Sequence, residues 1–87
     1  MLFDKASKLE RRVQNRRKTL GNGVIYFASG SYAMDCVILD LSESGARIRP
    51  ADAPTCPDEF LLDSKEVGRV FCEVMWRRND LIGVRFV

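Results

Sequence analysis

The stretch VFCEVMWRRNDLIGVRFV, residues 70–87, decides the fold class, because two strands can be recognised in it. Apolar and polar side chains alternate in both halves, as they do in strands that bury one face. Asn79 and Asp80, between the halves, favour a turn. In the first half, the side chains predicted to face the core are Val70, Cys72, Val74 and Trp76, whereas Glu73 and Arg77 fall on the other face. In the second half, the predicted core side chains are Ile82, Val84 and Phe86. The stretch therefore predicts an antiparallel hairpin of two half-buried strands.

The sequence before residue 70 repeats this β pattern back to residue 20. Further strands are predicted at 24–27, 32–41, 46–49 and 59–62, and they are separated by turn-forming or proline-rich segments. About six strands, with no helical pattern after residue 20, predict an all-β fold. The expected form is a small six-stranded antiparallel β-barrel over residues 20–87, because closure leaves no open sheet edge. A two-sheet sandwich is the alternative.

Residues 1–19 form a basic N-terminal arm that the sequence predicts to be flexible or partly helical. The first 20 residues hold seven Lys and Arg against two acidic residues, a net charge of +5, whereas the remainder holds seven basic and ten acidic residues, a net charge of −3. Only Leu9 and Val13 fall at helical spacing, which is too little apolar surface to anchor a helix. A basic arm on an acidic body suggests an anionic partner, and a solvated helix face is the alternative.

Composition disfavours several classes of function. The 87 residues fit one core, contain no histidine and show no Gly-rich phosphate loop or metal-ligand cluster, so no enzymatic activity, metal or cofactor is expected. Three cysteines, 20 and 16 residues apart, predict reduced thiols, with Cys36 and Cys72 in the core and Cys56 in a loop. The sequence shows no signal peptide and no apolar run of about 18 residues, which predicts a cytoplasmic protein without a membrane span.

The first of two motifs that carry chemistry is Arg12-x-x-x-Arg16, flanked by Arg11 and Arg17. Guanidinium groups are planar forks that bind phosphate oxygens bidentately and also stack on purines. In an extended or a helical backbone, the two motif arginines could bracket a phosphate-bearing ligand. This motif suits a nucleotide better than a role in simple charge screening.

The second motif is Asp40-x-Ser42-x-x-Gly45, at the exit of a predicted strand. An extended backbone presents the Asp40 carboxylate and the Ser42 hydroxyl on the same side, where they could bind a guanine edge. Gly45 would permit a positive φ that reverses the chain. The alternative is an ordinary turn, in which both side chains bind nearby backbone amides.

Together, in this order and spacing, the motifs resemble those of the PilZ domain family, which has an RxxxR motif ahead of a barrel and a (D/N)xSxxG motif on a following strand pair. The resemblance covers roughly residues 10–87, and it continues through 35–37, 45–47, 74–77 and 82–86. It implies a bacterial receptor for the second messenger cyclic di-GMP. The ligand would be held between the arm and the outer surface of the barrel.

The resemblance also implies roles for individual residues. The ligand contacts would be Arg12 and Arg16, to phosphates and guanine faces, and Asp40, Ser42 and Gly45, to a guanine base. Secondary candidates are Arg11, Arg17 and Arg47. Trp76 and Arg77 are expected in the core and at the rim rather than at the ligand. A rearranged arm would signal to an unidentified effector protein, as in motility or biofilm regulation.

Two other functions remain open at this point. One is a PilZ-like adaptor that binds proteins but no nucleotide, which the intact motifs disfavour. The other is a small nucleic-acid-binding barrel that uses the basic arm for phosphates. The acidic body and the lack of clustered exposed aromatic residues disfavour nucleic acid as the partner.

Overall fold

Six antiparallel strands close into a barrel over residues 21–87, the part of the chain that the computed structural model describes. The strands are β1 (Gly21–Phe27), β2 (Tyr32–Leu41), β3 (Gly45–Pro50), β4 (Glu59–Ser64), β5 (Gly68–Arg78) and β6 (Leu81–Phe86). A single 3-10 turn, Ala53–Thr55, lies between β3 and β4. The strand order is β1-β2-β3-β6-β5-β4, and β4 pairs back onto β1. The predicted all-β barrel is confirmed, whereas the predicted arm and its boundary lie outside the described residues.

Alternation along the strands builds the core. Inward positions of neighbouring strands meet at one level, so that Ile48 lies opposite Ile38 on one side and Ile82 on the other. The most deeply buried side chains are Ile25, Ile38, Ile48, Leu62, Cys72 and Ile82. Burial of each Ile or Leu contributes about 1.5–3 kcal/mol. These residues therefore fix which face of each strand points outward.

All three cysteines are buried in this core. Cys36 and Cys72 lie there as predicted. Cys56 does belong to the loop between β3 and β4, but its side chain is only 3% exposed. The loop turns inward because the backbone N–H groups of Thr55 and Cys56 both donate to the carbonyl of Asp52. Burial raises the pKa of Cys36 to about 12 and that of Cys72 to about 11, and it also raises the pKa of Cys56.

The buried thiols predict a loss of stability at alkaline pH. The ordinary thiol pKa is 9.0, so above this pH the unfolded chain releases protons that the folded barrel retains on Cys36 and Cys72. The free energy of unfolding is therefore expected to fall as the pH rises from about 9 towards 12. Urea unfolding at several pH values, followed by circular dichroism, measures this fall.

A Cys36→Ala variant is the comparison that isolates one thiol. Its stability at pH 7 is expected to be lower, because a buried group is removed. Its decline above pH 9 is expected to be shallower than that of the wild type, because one titrating group is gone. If the free energy of unfolding falls equally steeply above pH 9 in both proteins, Cys36 does not contribute to the loss of stability at alkaline pH.

Two β-bulges interrupt the ladders and place outer-face residues where simple alternation does not predict them. On β2, the pairing with β3 shifts between Ile38 and Asp40. On β5, the pairing with β6 shifts between Val74 and Trp76. A bulge adds one residue to one strand, so the side chains beyond it change face. The prediction that Trp76 shares the core face of Val74 is therefore wrong, since Trp76 lies outside and is 43% exposed.

Candidate ligand-binding groove

An open groove of about 500 Å³ lies on the outer face of the barrel, where the end of β2, the start of β3, β6 and the bulged part of β5 come together. The second motif supplies one side of it, with Asp40, Ser42 and Gly45. The groove also contains Arg47, a secondary candidate. The structure thus brings four predicted site residues into one place.

The turn between β2 and β3 is fixed by hydrogen bonds within the second motif. The backbone N–H of Ser42 donates to the carbonyl of Gly45 at 2.9 Å. The Ser42 hydroxyl accepts from the Gly45 N–H at 3.2 Å and lies 3.2 Å from the Gly45 carbonyl oxygen. From β6, the Phe86 N–H donates to the carbonyl of Ser44 at 2.8 Å. Ser42 therefore holds the turn that shapes the groove.

Gly45 is needed for space rather than for its backbone angle. A Cβ atom at this position would lie 2.1 Å from the carbonyl oxygen of Val84 on β6. Gly30 and Gly68 are the described glycines that have a positive φ. Gly45 does not have one, so the prediction of a positive φ at this position is wrong. The close approach of β3 to β6 excludes any side chain here, which leaves the groove floor open.

Asp40 and Arg47 form an ion pair across the β2–β3 ladder. The Arg47 Nη2 lies 2.6 Å from the Asp40 Oδ2. The Asp40 side chain is 25% exposed and the Arg47 side chain is 42% exposed. The two residues are direct cross-strand partners, because the β2 bulge shifts the register at this point. The Arg47 Nε is shielded from solvent and, within residues 21–87, has no hydrogen-bond partner. The pair orients the carboxylate at the mouth of the groove.

Trp76 forms an aromatic wall of the groove, a role that the strand pattern did not predict. It is the cross-strand partner of Gly83. A Cβ atom on Gly83 would lie 2.1 Å from the Trp76 Nε1, so the indole rests directly on the glycine backbone. The Arg78 guanidinium lies 5.9 Å from the ring centroid, within the range of a cation–π contact. A glycine inside a predicted strand often marks a place where another group packs closely on the backbone. Gly83 is therefore the feature of the sequence that could have indicated the position of Trp76.

Arg77, which the sequence places at the rim, does not line this groove. Arg77 donates to the carbonyl of Cys56 at 2.9 Å and to the Asp58 carboxylate at 2.7 Å, so it holds the loop before β4, at the rim. The four candidates of the arm, Arg11, Arg12, Arg16 and Arg17, lie outside the described residues.

Within residues 21–87, no group of three or more Cys, Asp or Glu side chains could hold a metal ion. No helix in this part of the chain is long and apolar enough to cross a membrane.

Comparison with known proteins gives one result that bears on this groove. The family model described as the PilZ domain matches residues 10–87. Searches of the curated proteins and of the solved structures gave no match. The matched region includes the basic motif of the arm, all six strands and the whole groove. The chain therefore belongs to the PilZ domain family.

Proposed function

We propose that this protein is a receptor for cyclic di-GMP that binds the nucleotide in the groove and signals to a protein partner. PilZ domains form a family of cyclic di-GMP receptors. The observation that carries the proposal is that Asp40, Ser42 and Gly45 line one groove in a chain that also contains a complete RxxxR motif. We expect a binding function rather than catalysis, in the cytoplasm, without a metal or a cofactor.

The second motif would recognise a guanine base. The N1 and N2 hydrogens of guanine need an acceptor, and Asp40 is the carboxylate at the groove mouth. An ionised carboxylate has about four acceptor positions, so Asp40 can receive guanine while it also holds Arg47. Ser42 and Gly45 would contribute mainly through the turn and the open floor. Their substitution is then expected to act on the shape of the site.

The first motif would supply most of the positive charge for the two ligand phosphates. The body of the protein has a net charge of −3, whereas the first 20 residues carry +5. Arg12 and Arg16 are the proposed contacts, with Arg11 and Arg17 in support. We propose that the arm changes conformation when the ligand binds, and that the partner protein recognises this change.

Trp76 extends the site that the motifs predict. Its indole faces the groove that contains Asp40 and Ser42. A base that stacks on an aromatic side chain gains about 1–3 kcal/mol, and every base has a planar face suited to such stacking. Trp76 is also the one tryptophan in the chain, so its fluorescence reports on the groove alone.

Isothermal titration of the full chain with cyclic di-GMP tests the proposal, and Trp76 fluorescence gives a second readout. We expect micromolar or tighter binding, a change in emission, and no competition by GTP. No heat and no change in emission would contradict the receptor function and favour an adaptor that binds no nucleotide. Binding that ignores nucleotide identity and falls steeply with salt would instead indicate a nucleic-acid-binding barrel.

A further inference from the structure

Four residues lie side by side on neighbouring strands and connect the groove to the opposite side of the barrel. Gly45 on β3 is the partner of Arg85 on β6, Arg85 is the partner of Glu73 on β5, and Glu73 is the partner of Glu59 on β4. All four positions belong to the outer face. Arg85 therefore stands between the groove and a pair of carboxylates.

On the side away from the groove, Arg85 forms an ion pair with Glu73, and the two side chains are 55% and 37% exposed. Glu59 lies directly opposite Glu73, and within residues 21–87 no basic side chain pairs with Glu59. Like charges that face each other across two strands destabilise a sheet. The guanidinium of Arg85 thus provides the compensating charge for this carboxylate pair. Arg85, Glu73 and Glu59 together line a small cavity of about 270 Å³.

On the other side, Arg85 also lines the ligand groove. Its partner on β3 is Gly45, which has no side chain to cover it, and a Cβ atom there would lie 3.4 Å from the Arg85 Cα. On the β3 side, therefore, the cross-strand partner of Arg85 places no side chain between it and the groove. Phosphate oxygens are acceptors that the planar fork of a guanidinium binds bidentately.

We propose that Arg85 is a further anion-binding residue of the groove, and that a ligand phosphate and Glu73 compete for its guanidinium. This inference rests on the proposed function. Ligand binding then weakens the Arg85–Glu73 pair and leaves the charges of Glu73 on β5 and Glu59 on β4 uncompensated. Because such coupling is reciprocal, removal of the Glu73 charge strengthens ligand binding.

Titration calorimetry with cyclic di-GMP, at one fixed salt concentration, tests the competition in Arg85→Gln, Glu73→Gln and the double variant. Arg85→Gln is expected to weaken binding about fivefold to tenfold, through loss of a charge-assisted contact. Glu73→Gln is expected to tighten binding about threefold, because it removes an exposed ion pair that opposes binding, and such pairs are weak. In the Arg85→Gln background, Glu73→Gln is expected to have no effect.

The chain offers a matched control in the ion pair between Arg69 on β5 and Asp63 on β4, at 3.2 Å. Neither residue lines the groove. Arg69→Gln and Asp63→Asn make the same charge changes as the test variants, and both are expected to leave the affinity within about twofold of the wild type. Circular dichroism of each variant checks that the barrel is folded.

Three outcomes overturn the inference. The first is that Arg85→Gln binds cyclic di-GMP as tightly as the control Arg69→Gln. The second is that Glu73→Gln binds the ligand more weakly than the wild type. The third is that Glu73→Gln changes the affinity by the same factor with and without Arg85. If the wild type binds cyclic di-GMP and one of these outcomes is found, the proposed function stands and this inference fails. If the wild type shows no binding at all, both fail.

Discussion

Replacement of Arg16 with alanine is expected to weaken cyclic di-GMP binding tenfold or more while leaving the barrel folded. A charge-assisted hydrogen bond contributes about 1.5–3 kcal/mol, and about 1.4 kcal/mol is one factor of ten in affinity. The six strands that close the barrel all lie within residues 21–87, so this variant leaves every strand residue unchanged. Titration calorimetry of wild type and variant, with thermal unfolding in parallel, measures both parts of the prediction.

Two companion variants separate the geometry of Arg16 from its charge. Lys18→Ala removes one positive charge from the arm outside the RxxxR motif, and we expect less than about threefold loss of affinity from the weaker long-range attraction. Arg16→Lys keeps the charge but removes the planar fork, so most of the loss seen with alanine is expected to remain. Equal losses in Arg16→Ala and Lys18→Ala would contradict a specific role for the motif, and would leave only charge attraction.

The largest expected effect on stability is that of Gly45→Ala. The added Cβ would meet the Val84 carbonyl oxygen at 2.1 Å, and this atom belongs to the backbone of β6 rather than to a flexible side chain. One or both strands must move, which breaks the ladder between β3 and β6 near the groove. Overpacking typically costs about 1–3 kcal/mol, and a rigid backbone contact belongs at the upper end of that range. A loss of about 3 kcal/mol lowers the melting temperature by about 10 °C or more in a domain of this size.

Gly30→Ala is the control for this prediction. Gly30 has a φ of 85°, but an added Cβ would meet nothing within 4 Å. This substitution therefore introduces backbone strain without a clash, at a cost of about 1–2 kcal/mol. In thermal unfolding followed by circular dichroism, we expect the melting temperature of Gly45→Ala to be well below that of Gly30→Ala. Both melting temperatures should be below that of the wild type. A Gly45→Ala protein as stable as the Gly30→Ala protein would show that β3 and β6 separate at little cost.

Local patterns of the sequence were enough to predict the barrel. The alternation in residues 70–87 and in the earlier strands marks one apolar face per strand, and the structure buries Ile25, Ile38, Ile48 and Ile82 on that face. The physical reason is that strand periodicity is a property of neighbouring residues and needs no knowledge of the partner strand. The second motif was likewise predicted as a unit, because Asp40, Ser42 and Gly45 lie close together in sequence, at the end of β2, in the turn and at the start of β3.

The sequence by itself thus determined the fold class, the family and the turn that carries the second motif. The tertiary structure decided which other residues share the groove. Trp76 reaches it because a bulge shifts β5 by one residue against β6, and Cys56 enters the core because its loop folds inward. Arg85 stands between the groove and Glu73 because β3, β6 and β5 are neighbours in the barrel. Bulges and strand order arise from pairing between distant segments, so no window of the sequence contains them.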